Sequence, residues 1–449
     1  MKKELFSVLF LLIANYVFSQ NTDSTKTVDI DEVTVNASRT DVNIKNVPQK
    51  IELISNEIIN SVPNENVAEL LKRTTNIDII QYPGMSASVG LRGFSPLAHS
   101  RSYTLILING KPSGTDNIAS INPDIIERIE IVKGSYSMLY GSDAMGGVIN
   151  IITKTGKDSL VGSATVSAGN FGSTKLNATV QGPLCKKTTF SMGFTRQEQS
   201  KDYKIGTNNL LKMNNTEKLI LDKTSYGDVM LNSKYQTNQA NVQIDHSFSD
   251  NWTSTSQVIY TLADDVETPG NYWGSYGESK KDIDRINVYE TVKRSTKKNT
   301  LEISPYFTDE KIQDYSDNSD TGYVSFRSYV EEYGLKISDV HTFGKLKLLT
   351  GADIDVYDYS SNRFSGKATP TNPYNPDNKN TKTAILAQLS YSNERLDVNA
   401  GIRYNYIMYE TSENKSLNGS GGKETFAVPT PSAGAQYKIL KNLKVHASI

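Results

Sequence analysis

Between residues 158 and 449 the sequence keeps returning to one pattern, apolar and polar side chains in alternation. Phe190, Met192 and Phe194 alternate with Ser191, Gly193 and Thr195. Val242, Ile244 and Phe248 alternate with Gln243, Asp245 and Ser247. Ile385, Ala387, Leu389 and Tyr391 repeat it, as do Leu396, Val398, Ala400, Ile402, Tyr404 and Tyr406 against Asp397, Asn399, Gly401, Arg403 and Asn405. A period of two is that of a β-strand, whose successive side chains point to opposite faces of the sheet. Runs of roughly 10 such residues, separated by turn residues, fit transmembrane strands. They also fit a soluble sandwich or solenoid. Three features favour the membrane barrel. The strands are long. Tyr404, Tyr406 and Tyr409 gather near a strand end, where a ring sits in lipid and its hydroxyl in water. Connectors alternate in length, Gly182 to Lys187 being a short turn while Tyr203 to Thr237 and Ser360 to Thr381 are long and polar, as periplasmic turns and outer loops are.

Composition narrows the function. The chain has 449 residues with 48 Lys+Arg against 49 Asp+Glu, a net charge of -1. That leaves no basic excess for a phosphate backbone, which argues against nucleic acid as a partner. Cys185 is the one cysteine, so neither a disulfide framework nor a cysteine-rich metal site is available. The four histidines, His99, His246, His341 and His446, have no zinc-protease spacing. There is no nucleophile elbow, no P-loop and no Gly-x-Gly-x-x-Gly after a strand, so no enzyme, cofactor or resident metal is expected. A mean hydropathy of -0.45 argues against a bundle of membrane helices. It does not bear on a barrel, whose strands dilute their apolar residues with polar ones.

The N-terminus reads as an address. Met1-Lys2-Lys3, the apolar run Leu5 to Phe18 and then Ser19-Gln20 have the layout of a signal peptide over residues 1–20. Residues 21–47 form a flexible segment, whose start is too polar to order itself. Inside it Asp31, Glu32, Val33, Thr34 and Val35 make a short extended stretch. Such a stretch suits addition to the edge of a partner's sheet, and equally an ordinary first strand.

Residues 48–156 mix periods, as a compact α+β block does. Ser55 is placed to cap a short helix through Ile58 and Ile59, and Asn64 to Arg73 reads as a second helix with Val67, Leu70 and Leu71 on one face. Tyr103 to Ile108 is an apolar run suited to a buried strand, followed by the tight-turn pair Asn109-Gly110. Asn122-Pro123 starts a further short helix, and Ile129 and Ile131 mark another strand. Five pieces stand in order here: Gly90-Leu91-Arg92-Gly93-Phe94, Ile108-Asn109-Gly110, Ile126 to Gly134, Leu139-Tyr140-Gly141, and Gly146-Gly147 through Lys154. Together they resemble the plug domain of TonB-dependent outer-membrane receptors.

The resemblance implies a fold and a function. The fold is an α+β plug over residues 48–156, followed by an antiparallel transmembrane β-barrel from 157 to 449. The function is active import across the outer membrane of a Gram-negative bacterium, driven by the periplasmic energy-transducing protein TonB. Asp31, Glu32, Val33, Thr34 and Val35 are similar to the family's TonB box, the stretch TonB grips. The ligand would be a scarce one: an iron chelate such as a ferric siderophore, or haem or cobalamin. The few residues before the TonB box leave no room for a signalling domain or a glycan importer's N-terminal extension, which ranks these ligands above glycans. Two apical plug loops are ligand candidates, one with His99 and Arg101, the other with Asp116 and Asn117. Arg92, Glu127 and Arg128 are expected to hold the plug to itself or to the barrel wall, with Gly93, Gly134, Gly141, Gly146 and Gly147 shaping its turns.

About a dozen strands are legible against the roughly 22 that the resemblance calls for, so the barrel is expected to be incomplete, about half of one, with an open edge. The competing reading from another class is a secreted, soluble β-rich binding or adhesion protein.

Overall fold

The computed structural model describes residues 34–35, 39, 42–43, 50–63, 65–82, 85–96, 103–134, 136–204, 229–230, 232–268, 279–317, 319, 321–414, 420–440 and 443–449. Strand β1 (Thr34–Val35) pairs antiparallel with β2 (Val42–Asn43), and Arg39 lies between them in sequence with a φ of 55°. Within the stretch expected to be the TonB box, Asp31, Glu32 and Val33 lie outside the described residues. So do residues 1–20, expected to be a signal peptide.

The plug follows. Its elements are β3 (Lys50–Ile54), α1 (Asn56–Ser61), α2 (Val67–Thr74), β4 (Asp78–Tyr82), β5 (Ser86–Gly90), β6 (Thr104–Ile108), β7 (Lys111–Pro112), β8 (Ile126–Lys133), α3 (Ser137–Tyr140) and β9 (Gly147–Thr153). Five strands form one sheet in the order β3-β8-β9-β6-β7, with β6 and β9 parallel, while β4 and β5 make a separate hairpin. Ile106, Ile108, Ile129, Ile131, Ile149 and Ile151 fill its core with Val67, Ala68, Leu70 and Leu71 of α2. That helix starts later than the apolar spacing suggests, because Asn66 is the cap: its Oδ1 accepts from the Glu69 amide at 3.1 Å. At the β6–β7 turn Asn109 (φ 49°) and Gly110 (φ 80°) are both left-handed, as a two-residue hairpin loop requires.

A large antiparallel wall occupies the rest. It begins with β10 (Val161–Ala168), β11 (Ser173–Cys185) and β12 (Thr188–Gln199), beside which β13 (Tyr203–Lys204) and β14 (Val229–Met230) form a small hairpin. It continues through β15 (Tyr235–Ser247), β16 (Trp252–Thr268), β17 (Ser279–Ser295), β18 (Asn299–Tyr315), β19 (Val324–Phe343) and β20 (Leu346–Gly366). The last members are β21 (Thr369–Thr371), β22 (Asn378–Ser392), β23 (Leu396–Thr411), β24 (Gly422–Leu440) and β25 (Leu443–Ser448). Fourteen strands share this sheet, with β21 a side branch on β20. The path runs from β10 to β25 without closing on itself among the described residues.

Connections 186–187, 248–251, 296–298, 344–345 and 393–395 lie at one end of the wall, and the described residues 200–202, 232–234, 316–317, 367–377 and 412–414 at the other. Two details differ from the sequence reading. Gly182 is still in strand, opposite Phe190, so the short turn is narrower than Gly182 to Lys187. Residues 360–366 continue β20, paired with β19 as far as Arg363 and with β21 at Arg363, Phe364 and Gly366, so part of the expected long loop is ladder. In both places neighbouring strands supply hydrogen-bond partners that outweigh local turn propensity.

The wall is inside out for a soluble protein. Gln239, Asn241, Gln243, Gln257, Asn287 and Thr308 are buried, while Val242, Ile244, Val258, Phe307, Ile385, Ile402 and Tyr404 are exposed. A sandwich hides the apolar half of its alternation; this wall turns that half outward and its polar half toward the plug, as a barrel in lipid does.

Candidate functional site

The candidate functional surface is the seam between plug and wall. One strand grips the plug like a ladder. Inward-facing residues of β17, two apart, each bind successive points of the chain from Lys111 to Ser120. Lys111 Nζ donates to Thr291 Oγ1 at 2.5 Å, and Tyr289 Oη donates to the Pro112 carbonyl at 3.0 Å. Asn287 Nδ2 donates to the Ser113 carbonyl at 2.9 Å, and Arg285 Nη1 donates to Ser120 Oγ at 2.9 Å. Arg285 also pairs with Glu310 at 2.8 Å. Next to this row Asn109 Nδ2 donates to Gln257 Oε1 at 2.9 Å. Farther round the wall, Lys175 holds Asp124 at 2.9 Å and Lys382 holds Asp143 at 2.5 Å.

The N-terminal hairpin is fastened separately. Arg39 makes a bidentate pair with Asp353 on β20, both N···O distances being 2.8 Å. Its guanidinium also lies 4.9 Å from the centre of the Tyr140 ring. Arg403 of β23 reaches the same carboxylate at 2.5 Å and donates to the Leu139 carbonyl at 3.2 Å. Burial opposes the charge on Arg39, but the Asp353 carboxylate overrides it and holds the guanidinium more firmly protonated than a free arginine. No sequence signal marked Arg39 or Asp353, because partners 314 positions apart declare themselves only in the fold.

Inside the plug, Arg128 Nε and Nη2 donate to Glu130 Oε1 at 3.0 and 2.9 Å. Glu130 is fully buried, and its other oxygen accepts from Asn150 Nδ2 at 3.2 Å. Asn150 Oδ1 in turn accepts from the Gly110 amide at 2.9 Å, tying the β8–β9 pair to the β6–β7 turn. Glu127 is exposed, and Arg92 is exposed with its guanidinium packed over Gly134. Gly93 follows Arg92 in a left-handed turn. Gly134, Gly141 and Gly146 lie in the connection between β8 and β9. Gly147 has a φ of 149°, and a Cβ there would stand 2.3 Å from the Val132 carbonyl oxygen.

Of the loop candidates, His99 and Arg101 lie outside the described residues. Asp116 and Asn117 lie in the connection that β17 grips. Asn117 Oδ1 accepts from the Ala87 and Ala119 amides at 3.0 and 3.2 Å, and its Nδ2 donates to the Met85 carbonyl at 2.9 Å, so the amide braces the loop against β5. Beside this loop, toward the long-connection end, plug and wall enclose a cavity of about 160 Å³. Glu65, Asn66, Gln197, Tyr235, Gln239 and Glu267 are among its lining. The Gln239 Oε1 is buried there with no hydrogen-bond partner among the described residues. Among the described residues no three His, Cys, Asp or Glu side chains gather to hold a metal ion.

A profile described as TonB-dependent Receptor Plug Domain matches residues 43–148, and one described as TonB dependent receptor-like, beta-barrel, matches residues 186–449. The chain belongs to the TonB-dependent receptor family. The receptor is thus a protein of the Gram-negative outer membrane. It is 34% identical over 192 residues to a vitamin B12 transporter BtuB of Photobacterium profundum, a stretch covering 41% of this chain and 30% of that protein. It is 35% identical over 171 residues to an iron-regulated outer membrane virulence protein of Vibrio cholerae, covering 35% of this chain and 25% of the other. The matched stretches therefore span less than a third of those relatives. The fold is shared with the ferric yersiniabactin uptake receptor FyuA from Yersinia pestis, with a TM-score of 0.67 at 14% identity over 89% of this chain and 64% of that one.

Proposed function

We propose that the receptor imports a scarce ligand in a TonB-driven cycle, with a ferric siderophore as the leading candidate and haem or cobalamin as the others. The observation that carries this is the double fastening of the plug, by the β17 ladder within the seam and by Arg39 on Asp353 at the N-terminal hairpin. A plug held this way blocks passive flow, so transport requires work. The sequence has no nucleotide site, so the work arrives by contact. Thr34 and Val35 already lie extended, paired with Asn43 and Val42. TonB would replace that pairing by strand addition to the segment Asp31, Glu32, Val33, Thr34 and Val35, and then pull.

On the outer side the ligand would meet the loops carrying His99 and Arg101 and carrying Asp116 and Asn117, above the cavity lined by Gln239 and Tyr235. Asn117 serves there by setting the loop's shape. The names of the relatives support both iron-linked and cobalamin cargo, and the FyuA likeness supports the fold on which such cargo is carried.

The test is growth of a deletion strain, complemented with this gene, on ferric siderophores, haem and, separately, cobalamin. Removal of residues 31–37 is expected to abolish uptake while the protein stays in the outer membrane. Uptake that continues unchanged overturns the proposal. For haem the discriminating variant is His99→Ala, expected to weaken haem binding and leave siderophore growth untouched; unchanged haem affinity removes haem from the candidates.

A further inference from the structure

We infer that the space between the β6–β7 hairpin and the inner face of β15 to β20 is an oxyanion site, where a carboxylate or phosphate group rests between plug and wall. The cavity measures about 330 Å³ and reaches the short-turn end, where Thr300, Thr342 and Lys347 line it. On its plug side is Lys111, only 6% exposed, whose ammonium bonds the Thr291 hydroxyl and pairs with no carboxylate among the described residues. Across from it Lys336 lies 5.4 Å from the centre of the Tyr140 ring, likewise with no ion-pair partner among the described residues. Arg39 also lines the space. Its terminal nitrogens are taken by Asp353, but its buried Nε–H has no acceptor.

Glu302 acts on Lys111 and Arg39 only through space, and neither lining carboxylate makes an ion pair with Lys111 or Lys336 among the described residues. Asp245 accepts from the Gly156 amide, Gln243 and Thr255, and Glu302 accepts from Ser304 at 3.2 Å. Lys293 and Lys347 add positive charge nearer the opening. Taking ammonium groups out of water without a carboxylate in direct contact is costly, and a bound anion lowers that cost. The donors are also held ready by the fold, so little ordering remains to be done on binding. Burial pushes the Lys111 pKa down, in the direction an adjacent anion would reverse.

The source of the anion is assigned to the ligand in transit, and this part rests on the import reading above. Drawing Arg39 out of the seam subtracts a cation and turns the Asp353 carboxylate toward the cavity. The pull that opens the path therefore loosens the anion as well.

The test is calorimetric titration of the detergent-solubilised full chain at low salt with inorganic phosphate and, separately, with citrate. Saturable binding is expected, weakened about tenfold, the loss of one charge-assisted hydrogen bond, in Lys111→Met. Lys336→Met, on the opposite side, is the second variant should the first fail to fold, as judged by heat-modifiable migration. Lys379→Gln, in an exposed pair with Asp358, serves as the control and should bind as the parent does. Citrate binding supports a carboxylate-bearing cargo; phosphate binding without citrate supports the site and overturns that source in favour of a free inorganic anion. No saturable binding of either, or parental affinity in a folded Lys111→Met or Lys336→Met variant, overturns the site and leaves a cavity filled by water. Neither measurement needs TonB or growth, so failure of the import reading would leave the result readable.

Discussion

Asp353 holds two arginines at once, Arg39 from the N-terminal hairpin and Arg403 from the neighbouring wall, at 2.8 and 2.5 Å. The relationship is unequal. Arg39→Ala leaves Asp353 paired with Arg403, whereas Asp353→Ala takes from both Arg39 and Arg403 the carboxylate they share. Asp353→Ala is expected to cost about 3–5 kcal/mol and Arg39→Ala clearly less. Thermal unfolding orders the two, and equal losses would contradict the shared-carboxylate reading.

Lys111 makes stability depend on pH. Burial depresses its pKa below the ordinary 10.5. A group depressed on folding contributes stability above its ordinary pKa, and that contribution is lost as pH falls through the depressed one. In anion-free buffer at neutral pH, Lys111→Met should therefore melt about 2–4 °C above the parent. The gap should close as pH rises toward 10.5. A gap that does not change with pH would show that the ammonium is not the cause.

Glu130 is a buried carboxylate whose loss strands two donors. Glu130→Ala leaves Asn150 Nδ2 without its acceptor inside the plug core and Arg128 without its ion pair. The expected cost is about 2–3 kcal/mol, with Glu130→Gln losing less because an acceptor remains. Hydrogen exchange of the β8 and β9 amides reads this directly, and protection equal to the parent's in Glu130→Ala would refute it.

Gly147→Ala places a methyl 2.3 Å from a backbone oxygen at a φ that other residues rarely adopt. The plug sheet should fail to close there, at a cost of more than about 3 kcal/mol. Normal heat-modifiable protein in the outer membrane with a protease-resistant plug would count against this.

The fold was legible wherever a period carried it. Alternation around Val242 and Gln243 showed strands, and the strand length, aromatic ends and unequal connectors favoured a membrane barrel over a soluble sandwich. The β6–β7 turn was visible in Asn109-Gly110 because the required left-handed conformations belong to few residue types. Arg128, expected to hold the plug to itself or to the barrel wall, donates to Glu130, which as one more strand charge gave no sign of full burial. The seam was not legible. Thr291, Tyr289, Asn287 and Arg285 occupy ordinary inward positions of an alternating strand, and nothing local distinguishes a residue that grips the plug from one that meets water. Arg39 and Asp353 were hidden for the same reason: a long-range ion pair has no spacing.

The inverted polarity of the wall also bears on wear. Where plug and wall meet through β17, Asn287 on Ser113 and Tyr289 on Pro112 are contacts between uncharged groups, while Lys111 on Thr291 and Arg285 on Ser120 carry a charge. Each bond, once parted, is taken over by water at a net cost of about 0.5–1.5 kcal/mol, or about 1.5–3 kcal/mol where a charge is involved. An oily seam would cling, and once opened would offer sticky surface to anything nearby. A seam of exchangeable hydrogen bonds slides wet and re-forms in register, so a plug displaced in the proposed cycle can reseat without being rebuilt.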